Sequence, residues 1–130
     1  MRAYINNVNG GLTPTERNMQ NTISKEKVKV IIDRPLGSSH PNYPDLIYPV
    51  NYGYVEGIIA GDNQPQDAYV LGIDYPVDSF EGVLIAIIKR KNDVEDKWVV
   101  AKEGCDFSID EIKNTTYFQE KYFSSIIEKL

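Results

Sequence analysis

The chain has 130 residues, 42% of them apolar, and its 19 acids against 14 bases give a net charge of −5. That length supports one domain with a real core. The acidity argues against a surface that tracks a nucleic acid backbone, and no run approaches the ~20 apolar residues of a membrane span. The single cysteine, Cys105, excludes an intrachain disulfide and is expected to be small, apolar and partly buried in a reducing compartment. The N-terminus lacks the apolar stretch of a secretory signal, so the expected location is cytoplasmic.

Residues 1–26, rich in Asn, Thr, Gly and Gln, read as a polar extension outside the core. A short helix capped at Thr13, with Pro14 in its first turn, is the one element expected there. The folded domain is expected over 27–130. It opens with "KVKVIID", where Val28, Val30 and Ile32 recur every second residue, as on a half-buried strand. "RPLGSSHPNYPD" is a loop, broken by three prolines and Gly37.

"LIYPVNYGYVEGIIA" is rich in strand formers, with Pro49 and Gly53 forcing bends or bulges. "GDNQPQD" is a turn, "AYVLGI" a strand and "DYPVDSFEG" a long turn. "VLIAIIKR" reads as a strand buried on both faces, "KNDVED" as a charged hairpin tip and "KWVVAK" as the return strand. After Gly104 the period changes. Ser108 and Glu111 make a capping box for a short helix. A last helix is expected to carry Phe118, Tyr122, Ile126 and Leu130 in one apolar stripe. Strands at short spacing followed by one or two helices, with no βαβ alternation, predict a mainly β fold. The architecture expected is a small, bent antiparallel barrel with helix packed across it.

Chemistry-bearing residues cluster in the middle of the chain. Asp62 and Asp67 flank "NQPQ", and Asp93, Glu95 and Asp96 fill a second acidic turn. Converging carboxylates suit Mg²⁺, a hard ion that keeps several waters; solvated acidic loops are the plainer alternative. Tyr48, Tyr52 and Tyr54 would share one face of a regular strand, as phosphate-binding phenols or as ordinary strand residues. Arg34, Lys89, Arg90, Lys91 and Lys97 supply positive charge nearby. His40, alone in its loop, reads as a surface residue rather than a zinc ligand.

"YPVNYGYVEG", "GDNQPQDAYVLG" and "VEDKWVVA" together resemble the soluble family I inorganic pyrophosphatases. The resemblance covers roughly residues 28–101. It implies a bent, OB-like five-stranded barrel with helices, and Mg²⁺-dependent hydrolysis of pyrophosphate to two phosphates. By position it implies substrate contacts from Tyr48, Tyr52, Lys97 and Tyr122, to which the nearby Arg90 is added as a phosphate-holding cation, and metal ligation by Asp62, Asp67, Asp93 and Asp96. It assigns catalysis to Asp62, Asp67, Gln64 and Tyr52, and puts Asp33 in a supporting role at the place of an active-site glutamate. Family members are usually oligomeric, so a homo-oligomer is expected, with no nucleic acid or membrane partner.

The sequence departs from that pattern at three places. Gln64 stands where the family has the middle aspartate of its signature, and an amide accepts no proton at neutral pH. Losing a general base commonly costs about 10²–10⁴ in rate, so slower turnover is expected, with a Gln64→Asp change raising it. The phosphate-binding arginine before the tyrosine block is missing, because "PDL" shortens that segment. Asn42 and Pro44 fall where the family has a lysine and a glutamate. The alternatives are an impaired protein that only binds a phosphorylated ligand, and a hydrolase of a different phosphorylated substrate.

Overall fold

The computed structural model describes residues 26–91 and 95–130. The expected polar extension and its helix at Thr13 lie outside these residues, as does Asp93. Among the described residues, six strands and one helix follow in order: β1 Lys27–Arg34, β2 Asn51–Ile59, β3 Pro65–Val70, β4 Ser79–Arg90, β5 Lys97–Ala101, α1 Ile109–Glu120 and β6 Ser125–Lys129. The sheet order is β1-β2-β3-β5-β4-β6, and a further β1–β4 pairing closes the first five into a barrel. All pairs are antiparallel except β3 with β5. That parallel pair arises because β5 inserts between β3 and β4 to shut the barrel.

Alternation in β1 behaves as the sequence predicts: Val28, Val30 and Ile32 face inward. They join Val55, Val70, Leu84, Ile87, Trp98 and Val100 in one apolar cluster. A second cluster, on the other face, contains Tyr48, Tyr52, Tyr69, Val83, Ile85, Ala86, Ile88, Val99 and Ile112 of α1. β4 serves both clusters, which is why residues 83–88 are all buried. A register shift between Leu84 and Ala86 puts Ile85 and Ala86 on the same side, and alternation resumes beyond it.

Gly53 marks the closest backbone approach in the tyrosine block. A Cβ there would overlap the Ile31 carbonyl of β1, so only glycine lets these two strands cross. The loop from Pro35 to Val50 is pinned at its neck. Gly37 and His40 N–H groups donate to the Tyr48 and Leu46 carbonyls, and Ser39 bridges Ile47.

The helix starts as its capping box predicts: Ser108 Oγ accepts from Glu111 N–H, and the Glu111 carboxylate accepts from Ser108 N–H. Its end differs from the sequence expectation. α1 stops at Glu120, and the expected last helix through Leu130 is replaced by a turn and β6. Ile127 and Ile126 pair with Ile88 and Lys89 of β4. β4 outruns β1, so its far half offers an open ladder, and the β-branched Ile126–Ile127 pair fills it. Local helical spacing loses to that tertiary pairing. Tyr122, Ile126 and Leu130 are exposed rather than forming a buried stripe. Cys105 is also exposed, not partly buried, in the turn between β5 and α1.

Candidate active site

A cleft of about 990 Å³ opens where the ends of β1, β3, β4 and β5 meet the 40–46 loop and the turn after α1. Its floor is charged and comes from strands. β3 and β5 run parallel with Ala68 beside Trp98, so Asp67 and Lys97 are neighbours one step earlier. Lys97 Nζ lies 2.6 Å from Asp67 Oδ2 and 3.1 Å from Glu95 Oε2. Glu95 and Lys97, two apart in the chain, both line the cleft, whereas Asp96 between them does not. Asp96 contributes its carbonyl, which accepts from Gln66 Nε2 at 2.7 Å.

The carboxylates crowd one another. Burial raises the Glu95 pKa; Lys97 opposes this and the nearby Asp67 adds to it. Burial likewise raises Asp33, against the pull of Arg34 and with a smaller push from Asp67. Tyr52 is buried, and its phenol is held well above its usual range by burial and then by Asp67, to which it is hydrogen-bonded. It therefore stays protonated beside the carboxylate.

Behind the cleft runs a buried polar chain. Arg34 Nη1 donates to the Tyr48 hydroxyl at 2.7 Å, which donates to Gln119 Oε1 at 2.8 Å. Gln119 Nε2 donates to the Tyr69 hydroxyl at 2.7 Å, and Tyr69 donates to Glu120 Oε2 at 2.6 Å. Glu120 then accepts a two-bond fork from Arg90, at 3.1 and 2.8 Å. The two arginines of the cleft are thus tied together through the last turn of α1. Every member is satisfied, which makes such a network rigid rather than costly. Ile112, Thr116, Gln119 and Glu120 are the buried positions of α1, so one helix face brings apolar and polar anchors to the barrel together.

Of the residues singled out from sequence, Asp33, Tyr52, Asp67, Arg90, Lys97 and Tyr122 line the cleft. Tyr48 lies just beneath it, fully buried, with its ring 5.6 Å from that of Tyr52. Tyr54 is not in that aromatic cluster; it pairs with Asp67 across the β2–β3 ladder. Asp62 and Gln64 are in the turn before β3 and do not line the cleft. The Asp62 carboxylate accepts from Gln64 N–H at 3.1 Å, and Gln64 is exposed. Asp33 was expected in support, yet it stands on the cleft wall itself.

Sequence reasoning counted Arg34 and Glu95 among the local charges without assigning either a ligand, and gave no role to Gln119 or Glu120. The i, i+2 spacing of Glu95 and Lys97 was a usable signal for one of them. Among the described residues, no group of three or more His, Cys, Asp or Glu is set to hold a metal ion.

Residues 13–128 match the family profile of inorganic pyrophosphatase. The chain belongs to that family. An inorganic pyrophosphatase from Campylobacter jejuni is 31% identical over 64 residues, which is 49% of this chain and 33% of the relative. The aligned segment thus spans a third of that curated relative. Inorganic pyrophosphatases of Ehrlichia chaffeensis and Thermus thermophilus superpose with TM-scores of 0.61 at 19% identity. These matches cover 80% of this chain and 86% and 83% of the two structures, so the bent barrel is the pyrophosphatase family's fold. Among the described residues, no helix is long and apolar enough to cross a membrane.

Proposed function

We propose that this pyrophosphatase-family chain binds inorganic pyrophosphate in the cleft and, with Mg²⁺, hydrolyses it to two phosphates. The observation that carries this reading is the convergence of Arg34, Lys97, Asp33, Asp67 and Glu95 on one cleft. Guanidinium and ammonium groups hold phosphoryl oxygens, and phosphoryl transfer depends chiefly on such positioning and charge neutralisation.

The donor chemistry fits a hard divalent cation. Asp67 and Glu95 offer only oxygens, are close enough to raise one another's need for positive charge, and share one ammonium between them. Mg²⁺ is commonly held by one or two carboxylates together with waters and substrate phosphates. Asp67 and Glu95 are the residues that would hold it. Asp62 and Asp96 stay in the proposal only as outer acids of their turns. When bound, Mg²⁺ supplies charge neutralisation to the phosphoanhydride and acidifies attached water.

The chain's own groups do the rest. Tyr52 donates to Asp67 and keeps that carboxylate aimed at Lys97. Arg34, steadied by Tyr48, and Lys97 hold the anion. Arg90 stiffens the wall from its fork on Glu120. Asp33 takes the proton of the attacking water, because its raised pKa makes it a stronger base than an ordinary carboxylate. Turnover is slower than in relatives with a third signature aspartate. Gln64 is an amide and stands off the cleft, so the turn contributes no base.

A second reading, ligand binding without turnover, is favoured by one observation: Arg90 is already committed to Glu120 and stacked on Phe123. We further propose a cytoplasmic homo-oligomer. The exposed Ile126 on the outer strand β6 and Leu130 just beyond it support self-association. Phosphate release from pyrophosphate at high protein concentration, with Mg²⁺ and with chelator, decides between the readings. Release that needs Mg²⁺ supports hydrolysis, and binding of pyrophosphate with no release supports the second.

A further inference from the structure

We infer that the cleft accepts a nucleoside polyphosphate, with its phosphates on the Arg34–Lys97 floor and its base against the aromatic rim at Tyr43. This rests on the reading that the floor holds a phosphoanhydride, and it names a larger substrate class for that same site. The first observation is size. A cleft of about 990 Å³ lies at the top of the ~300–1,000 Å³ range that encloses whole organic ligands. Pyrophosphate, two linked phosphates, leaves most of it to water.

The second observation is the division of the lining. Cations and carboxylates gather at the strand ends, whereas the 40–46 loop and the turn after α1 bring rings. Tyr43 is 65% exposed and Tyr122 68% exposed, both lining the cleft. Among the described residues, neither hydroxyl has a hydrogen-bond partner; the Tyr43 ring meets that of His40 and Lys121 Nζ stands 5.3 Å from the centre of the Tyr122 ring, yet both rings stay more than half exposed. Aromatic faces left open beside a phosphate floor suit base stacking, which tolerates any base because each has a π-face.

The third observation is that the rim is built. Tyr43 N–H donates to the His40 carbonyl, Leu46 N–H to the Tyr43 carbonyl, and Asn42 N–H to His40 Nδ1. The His40 and Tyr43 rings lie 5.0 Å apart, so Tyr43 is braced on one side and open on the other. Asp45, on the same loop, lines the cleft with an acceptor-only carboxylate. It repels a phosphate but accepts from a ribose hydroxyl. A floor for phosphate, an acceptor for the sugar and a ring for the base therefore lie along one cleft.

The test is titration calorimetry of the full chain with pyrophosphate and with ADP, each with Mg²⁺. ADP is expected to bind about tenfold more tightly than pyrophosphate. Tyr43→Ala should remove that advantage while leaving pyrophosphate binding within about twofold, and Tyr43→Phe should restore it. ADP binding no tighter than pyrophosphate, or an advantage indifferent to Tyr43→Ala, overturns the inference and leaves the pyrophosphate reading standing. Binding of neither anion overturns both. Tyr43 is exposed and outside the core, so circular dichroism of the variants should match the parent.

Discussion

Arg90 and Glu120 meet inside the protein in a two-bond fork, Nε to Oε1 at 3.1 Å and Nη2 to Oε2 at 2.8 Å. Glu120 ends α1, where the helix dipole disfavours a carboxylate, so the guanidinium is what makes the position tolerable. Both side chains are buried, at 5% and 7% exposure. Removing Glu120 takes the fork from Arg90, which still faces Glu95 at 3.6 Å, and takes the acceptor of the Tyr69 O–H, whose oxygen still accepts from Gln119. Glu120→Ala should therefore destabilise the fold by about 3–5 kcal/mol, read by urea unfolding. An Arg90→Met/Glu120→Leu double change, which leaves no charge at the fork, should lose less than either single change. A loss below about 1 kcal/mol for Glu120→Ala would show that the fork carries no structural weight.

Asp33 gives a pH prediction with a definite sign. Burial, the largest influence, lifts its pKa in the folded state above the ordinary carboxylate value. The folded chain thus holds this proton more tightly than the unfolded chain does. That contribution to stability is present at low pH and is lost as pH rises through the folded value. Asp33→Asn removes the loss, so the variant should melt higher than the parent near neutrality. The gap should close below the unfolded carboxylate pKa of about 3.9. Hydrolysis should fall by about 10²–10⁴ in the same variant, and the acid limb of the rate profile should vanish. An unchanged profile would take the base role away from Asp33.

The barrel was legible because its signals are local. Val28, Val30 and Ile32 alternate, residues 83–88 are continuously apolar, and Ser108 with Glu111 caps the helix; each follows from chain geometry over a few residues. β6 was not legible, since Ile126 and Ile127 suit a helical stripe as well as a strand. Only the open ladder on β4, 37 and 39 positions away in the chain by the Ile126↔Lys89 and Ile127↔Ile88 pairs, decides between them. The site divides the same way. Tyr52, Asp67 and Lys97 stand in recognisable strings, so their place was readable. Gln119 and Glu120 look like the wet face of a helix; nothing nearby in sequence announces that Tyr48, Tyr69 and Arg90 wait to receive them.

Gln64 tests whether spacing or placement controls water activation. From the sequence alone, restoring a carboxylate there should raise the rate. In the folded chain the side chain is exposed on its turn and off the cleft, while Asp62 spends its carboxylate on the Gln64 N–H. Gln64→Asp should therefore leave phosphate release within a few-fold, far short of the ~10²–10⁴ a working base contributes. A rise of that full size would mean that the turn folds over the substrate during catalysis. Steady-state phosphate release for the parent and the variant, at saturating Mg²⁺, makes the comparison.

Glu95 and Asp67 share the ammonium of Lys97, at 3.1 and 2.6 Å, and Arg90, forked on Glu120, faces Glu95 at 3.6 Å, so these three carboxylates and two cations carry one net negative charge for a divalent ion to answer. Glu95→Gln removes that charge and one oxygen of the pair while preserving shape. The Mg²⁺ concentration for half-maximal phosphate release should rise by at least the roughly 10–100-fold that losing a supporting partner costs a metal site. Asp96→Asn, at a residue that does not line the cleft, should leave the Mg²⁺ requirement near that of the parent, since its carbonyl still accepts from Gln66. Calorimetric titration with Mg²⁺ and pyrophosphate separates a weaker metal from a weaker anion. The reverse ranking, with Asp96→Asn the more damaging, would put the ion on the acidic turn rather than between β3 and β5.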